Sequence, residues 1–172
     1  QFVRSEGIEC DFGQVGRFHA AHNAAQYEAL AARIASQPKG LEVDAFMVPR
    51  AQQREELGTD LYWGGAVYTQ HCSVHPARYH QGLLERVLSA GGRVVPRCPV
   101  QEISRSGAQF LLRTPQGNVI ARDVVIATNG YTGALTPWLR RRVIPVGSYM
   151  IATEPLPKPS MDRLFPSNRI AS

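Results

Sequence analysis

Residues 123–130 read Asp-Val-Val-Ile-Ala-Thr-Asn-Gly. A continuous run of apolar, mostly β-branched residues suits a strand in a sheet covered on both faces. The run then stops on small residues: Ala127, Thr128, Asn129 and Gly130. A small strand end lets the backbone come close to a neighbour, and Gly130 is free to take positive φ. In open α/β sheets ligands sit at the carboxyl ends of the strands, where this turn would lie. Asn-Gly is also a common turn dipeptide, so the same residues suit a plain turn.

The rest of the chain alternates strand-like and helix-like segments. Residues 16–22 predict a strand with Phe18 and Ala20 on one face and Arg17 and His19 on the other. Asn23 is a good N-cap, and Gln26 stands where a capping-box partner belongs. Tyr27, Leu30, Ala31 and Ile34 then make one helical face, ended by Pro38 and Gly40. Further strands are expected over 42–48 and 61–71, with a short polar helix over 50–58 between them. Gly64-Gly65 reads as a bulge or a close backbone approach. Pro76 suits the first turn of a helix whose apolar face is Leu83, Leu84, Val87 and Leu88. Residues 93–95, 100–104, 108–114, 119–121 and 123–128 follow as short strands, with a turn at Pro115–Asn118. A long strand is expected over 143–156, interrupted by Pro145 and Gly147. The expected fold class is α/β plus antiparallel β. Three segments are read: 1–74, 75–142 with the texture of a nucleotide-binding unit, and 143–172.

Among 172 residues, 44% are hydrophobic and 19% charged, as in an ordinary folded domain. No apolar run has the length of a membrane span. The net charge of +5 raises the question of nucleic acid. The one dense basic cluster, Arg140-Arg141-Arg142, has no interleaved aromatic residues and reads as a solvated helix end. No specific nucleic-acid partner is expected. Cys10, Cys72 and Cys98 are odd in number and lack CxxC spacing, so reduced thiols in a cytoplasmic protein are expected, without a zinc site. His71 and His75 straddle a strand-to-helix junction, and no metal-ligand spacing is found among the histidines. The chain opens on Gln1 and not on Met, and it is expected to be a piece of a longer protein.

No G-x-G-x-x-G pattern and no Walker loop is present, so the chain by itself has no recognisable phosphate cradle. Two stretches nevertheless carry a resemblance: residues 62–95, starting Tyr-Trp-Gly-Gly-Ala-Val-Tyr, and residues 123–156, with the spacing between them. The chain resembles, over roughly 12–160, the FAD-dependent oxidoreductases of the D-amino-acid oxidase, glycine oxidase and sarcosine oxidase family. Within that family it looks most similar to the γ-glutamylputrescine oxidoreductase-like branch. The resemblance implies a partial FAD-binding α/β lobe over 75–142. A mixed or antiparallel-sheet substrate lobe would be shared by 1–74 and 143–172. It implies that Ala127, Thr128, Asn129 and Gly130 approach FAD, largely through backbone. It implies that Val100 pairs with the adenine through its main-chain N–H and C=O. The family's Gly-rich βαβ unit would precede Gln1, and a further Gly-rich segment would follow Ser172. On that basis the chain alone is expected to bind FAD weakly or not at all.

The implied substrate is a small amine or amino acid, oxidised at its C–N bond with hydride transfer to the flavin. Tyr149 either presents its hydroxyl to substrate or flavin, or is a sheet tyrosine with a wet tip. His75 either titrates near neutral pH or holds a helix end. Arg17, Arg50 and Arg78 are all candidates for binding a carboxylate, and the sequence does not choose among them. A non-catalytic module of similar layout, binding a nucleotide or a protein, is the alternative.

Overall fold

The computed structural model describes residues 1–149 and 151–172. Met150, inside the strand expected over 143–156, lies outside the described residues. In chain order the elements begin with α1 (Phe2–Ser5), β1 (Arg17–Ala20), α2 (Ala24–Ala35), β2 (Ala45–Val48), β3 (Gly65–Tyr68) and α3 (Pro76–Ser89). There follow β4 (Glu102–Ser106), β5 (Gln109–Thr114), β6 (Gly117–Ala121), α4 (Pro137–Arg140), α5 (Lys158–Leu164) and β7 (Ile170–Ala171). The chain is mixed α/β, with one mixed sheet and one antiparallel sheet. Among the described residues no helix is long and apolar enough to cross a membrane.

The chain divides into two compact units, Gln1–Gly92 with Thr153–Ser172, and Arg93–Ala152. These are cut at other points than the three segments read from the sequence. Helix α3 falls in the first unit because Gly82 sits directly on Ile8: a β-carbon at position 82 would lie 3.2 Å from Ile8 Cγ1 and closer still to its Cγ2 methyl.

The first unit is built on the sheet β2-β3-β1-β7, antiparallel except for the β1–β7 pair. Strand β1 alternates as its sequence predicts, with Phe18 and Ala20 buried and Arg17 and His19 half-buried. Phe18, 1% exposed, packs with Ala20, Val48 and Val67 on one face, under Leu57 and Tyr62. The other face carries Ala66 and takes α2 through Leu30, Tyr27 and Ile34. Burying a side chain the size of Phe18 contributes about 1.5–3 kcal/mol.

Helix α2 starts as its sequence requires. Asn23 Oδ1 accepts from the Gln26 amide at 2.9 Å, and Gln26 Oε1 reaches back to the His22 amide at 2.8 Å. The expected polar helix is a 3-10 helix over Arg50–Glu55. Its buried Gln53 accepts from the Gly64 amide at 3.1 Å. Gly64 has φ +79°, and a β-carbon there would run into the Val48 carbonyl and lie 2.9 Å from the Arg50 nitrogen. The expected close backbone approach is found at this residue, and also at Gly65, where a β-carbon would run into the His19 carbonyl. A tie between Glu56 and Arg169 and a bond from the Gly58 amide to Leu164 O at 2.9 Å bring the tail back to the same region.

In the second unit β4, β5 and β6 form an antiparallel meander. Pro115 and Gln116 form the loop between the paired residues Thr114 and Gly117. Three expectations are corrected here. No strand forms over 93–95 or 123–128, and the described residues of 143–156 also form none. A strand exists only where its backbone groups find a neighbouring ladder, and the three-stranded meander of this unit offers none to these segments. Their apolar side chains consequently face outward, Val125 at 88% exposed. In the first unit the apolar face of α3 is likewise open at Val87 and Leu88.

Candidate functional site

The stretch 123–130 ends in a 3-10 turn over Asn129–Tyr131. The Tyr131 amide donates to Thr128 O at 2.9 Å and the Thr132 amide to Asn129 O at 3.2 Å. The Thr132 hydroxyl donates to the same Asn129 carbonyl at 2.6 Å and lies 2.8 Å from the Thr128 hydroxyl. Side-chain bonds thus fasten the turn from both ends.

The residue with positive φ is Asn129, at +46°; Gly130, which is free to take it, does not. Asparagine tolerates the left-handed region because its short amide bonds locally, while the following residue of a 3-10 turn needs negative φ. Glycine at 130 is therefore not demanded by backbone geometry. A β-carbon there would lie 3.8 Å from Pro145 Cβ, an ordinary contact. The chain itself leaves room at this position.

Asn129, Gly130 and Tyr131 line one side of a cavity of about 620 Å³, and Val143–Tyr149 line the other. That volume lies in the range of small-molecule sites. Tyr149 is 94% exposed, and its ring folds back over Gly147: a β-carbon at 147 would sit 3.0 Å from the Tyr149 hydroxyl. The structure thus brings Asn129, Gly130 and Tyr149 to one cavity within the second unit. The contribution of Val143–Pro145 was not read from the sequence as part of a site. Its signal was there, since Pro145 and Gly147 interrupt an otherwise strand-like run.

Ala127 and Thr128 are exposed and lie outside the cavity lining. Val100 is half-buried just before β4. Among the described residues its main-chain N–H and C=O make no backbone hydrogen bond, whereas the next amide, Gln101, donates to Arg113 O at 2.8 Å. His75 lies in the first unit and is the N-cap of α3. Its Nδ1 accepts from the Arg78 amide at 3.4 Å and its amide donates to Cys10 O at 2.7 Å.

The three arginine candidates are now distinguishable. Arg78 is paired with Asp11 at 2.8 Å, and Arg50 lies over the Trp63 ring at 4.4 Å. Arg17 faces His19 and Ser172 with no carboxylate partner among the described residues. The basic cluster sits at a helix end: Arg140 closes α4, and Arg142 lies 3.9 Å over the Trp138 ring while donating to the Trp138 carbonyl. The three cysteines are free, Cys10 buried and Cys72 exposed.

Comparison with known proteins adds the following. The model of the family described as FAD dependent oxidoreductase matches residues 1–171. A Haemophilus influenzae protein named Probable oxidoreductase OrdL is 30% identical over 120 residues, 67% of this chain and 28% of that protein. The gamma-glutamylputrescine oxidoreductase of Escherichia coli is 28% identical over 167 residues, 96% of this chain and 39% of that enzyme. The chain thus spans well under half the length of these curated relatives. Glycine oxidase from Geobacillus kaustophilus superposes with a TM-score of 0.69 at 19% identity, covering 78% of this chain and 37% of that one. This last likeness establishes the fold.

Proposed function

Since the chain belongs to the FAD dependent oxidoreductase family, we propose that its parent protein oxidises the C–N bond of a small amine or amino acid to an imine. The flavin, when bound, supplies the chemistry by accepting a hydride. The residues present fit such a group at two points. Val100 offers an N–H and C=O that make no backbone hydrogen bond among the described residues, which is the donor–acceptor pair an adenine edge requires. Gly130 keeps open a place where the chain itself has no need of glycine.

One observation carries the reading. The small turn Asn129–Gly130 and the hydroxyl-bearing Tyr149 border a single cavity of about 620 Å³. In that arrangement Asn129 and Gly130 approach the cofactor through their backbone, and an approach of Ala127 and Thr128, outside the cavity lining, rests on the family resemblance alone. Tyr149, the only ionisable side chain on the Val143–Tyr149 wall, orients the substrate amine by its hydroxyl. His75 caps a helix on the first unit, and a substrate role for it rests on the family resemblance alone. Segment 75–142 serves the cofactor and segments 1–74 and 143–172 the substrate. Unpaired thiols favour a reducing compartment, the cytoplasm. Lacking G-x-G-x-x-G, the chain alone binds FAD weakly or not at all.

The test is to purify the full-length parent, record its flavin absorbance and screen amines and amino acids for bleaching of the flavin band without oxygen. Bleaching by an amine, with formation of a carbonyl product, is the expected result. A parent that carries no flavin, or a flavin that no amine bleaches, overturns the reading.

A further inference from the structure

Helix α2 and the Arg17 end of β1 enclose a second, smaller cavity of about 140 Å³, wholly within the first unit. Its lining is Arg17, His19, Leu30, Arg33, Tyr68 and His71, and among the described residues no carboxylate belongs to it. Arg33 makes no ion pair among the described residues, and neither does Arg17. Elsewhere in the same unit Arg54, Arg78 and Arg169 are matched with acids, while Arg4 and Arg50 lie over the rings of Phe12 and Trp63. What sets Arg17 and Arg33 apart is that both face one cavity, together with two histidines and no acid.

Arg17 and His71 are also held in position. Arg17 Nε donates to the Ser172 hydroxyl at 2.7 Å, and its Nη2 donates to His19 Nδ1 at 2.7 Å. A guanidinium only donates, so Nδ1 accepts and the imidazole proton sits on Nε2. The guanidinium keeps further N–H groups free, in the fixed fork that suits planar oxyanions. His71 stacks on Tyr68 at 5.3 Å, steadying the opposite wall, and buried Leu30 supplies an apolar side. Burial, then Arg17, Arg33 and His22, all hold the His19 pKa below its ordinary value, as expected where no anion offsets the cations.

We propose that this cavity binds a small oxyanion, a carboxylate or phosphate group, through the guanidinium groups of Arg17 and Arg33 with the Nε2–H of His19. The site shares no lining residue with the cavity at Asn129–Tyr149 and does not depend on the flavin reading.

The test titrates the purified protein with sodium phosphate and, separately, sodium acetate, following the His19 imidazole resonance by NMR. Sodium chloride at matched ionic strength is the reference. A saturable shift of His19 beyond the chloride response, with its protonation made easier by the bound anion, is expected. A response to phosphate alone assigns the site to phosphate groups, and a response to acetate includes carboxylates. Arg33→Gln and Arg17→Gln weaken the binding about tenfold or more, the loss of one charged contact, while Arg54→Gln does not. A His19 response no larger than that to chloride overturns the proposal, and that wild-type comparison stands whether or not the variants fold. Binding that both arginine variants retain unchanged also overturns it.

Discussion

Arg17 donates from its guanidinium to Nδ1 of His19 across 2.7 Å, so a permanent cation determines which imidazole nitrogen carries the proton. Burial and the neighbouring Arg17, Arg33 and His22 keep His19 neutral to lower pH than a free histidine. The unfolded chain therefore takes up the proton first as pH falls. The stability that depends on neutral His19 is fully present above the ordinary histidine value, ~6.5, and is lost below it. The thermal midpoint should fall between about pH 7 and pH 5, and His19→Gln should remove part of that slope. Melting curves across this range in both proteins check it; identical slopes would count against the assignment.

Gly64→Ala should destabilise the first unit by about 2–4 kcal/mol. The φ of +79° is strained for alanine, and its methyl would meet backbone atoms of Val48, Pro49 and Arg50, which cannot move aside as a side chain would. Urea unfolding followed by the fluorescence of Trp63 measures the loss. A change smaller than about 0.5 kcal/mol, the size of an ordinary surface substitution, would contradict the close approach.

Phe18→Ala should cost about 3–5 kcal/mol, because Phe18 is the largest fully buried side chain and is enclosed by Val48 and Val67. Asn23→Ala should cost about 1 kcal/mol by releasing the Gln26 amide at the start of α2. The two sites are read by the same unfolding experiment, and the ranking is the prediction: a cap loss as large as the core loss would be inconsistent with the packing described.

Gly130→Val should leave the melting temperature of the chain within about 2–4 °C, since the neighbouring Pro145 is at ordinary contact distance from a β-carbon. In the flavin-loaded parent the same change should reduce flavin retention, because it fills the cavity side of the turn. Flavin-to-protein ratios after dialysis test this. Unchanged retention would remove Gly130 from the proposed cofactor wall.

Much of the first unit was legible because its signals are local. Asn23 and Gln26 mark a helix start by side-chain bonds that span three residues, and Pro76 marks another by its fixed φ. The alternation of Arg17 to Ala20 states which face of β1 is buried. Signals that depend on partners were not sufficient. Val124 and Val125 have strand chemistry, but whether they pair is decided by segments distant in sequence, and the second unit supplies none. The candidate site shows the same division. The small turn was visible as Asn-Gly, while its conformation, with Asn129 left-handed and Gly130 not, depends on bonds to Thr128 and Thr132. The cavity wall at Val143–Ser148 comes from tertiary placement, and periodicity carries no trace of that.

Strand β7 pairs Arg17 with Ile170 and Phe18 with Ala171, so the outer edge of β1 is closed by residues translated long after it. All of Arg93–Ala152 is made in between. Until those residues emerge from the ribosome, the β1 edge that β7 covers has no partner from β7, and any sheet formed by β2, β3 and β1 carries an open row of amides and carbonyls there. An unpaired edge of this kind is a template for pairing with another chain. The arrival of Ile170 and Ala171 ends that interval, and it costs little more entropy than a shorter return would, since closure entropy grows only with the logarithm of loop length. The exposure of the nascent chain is thus set by the time needed to translate an inserted unit.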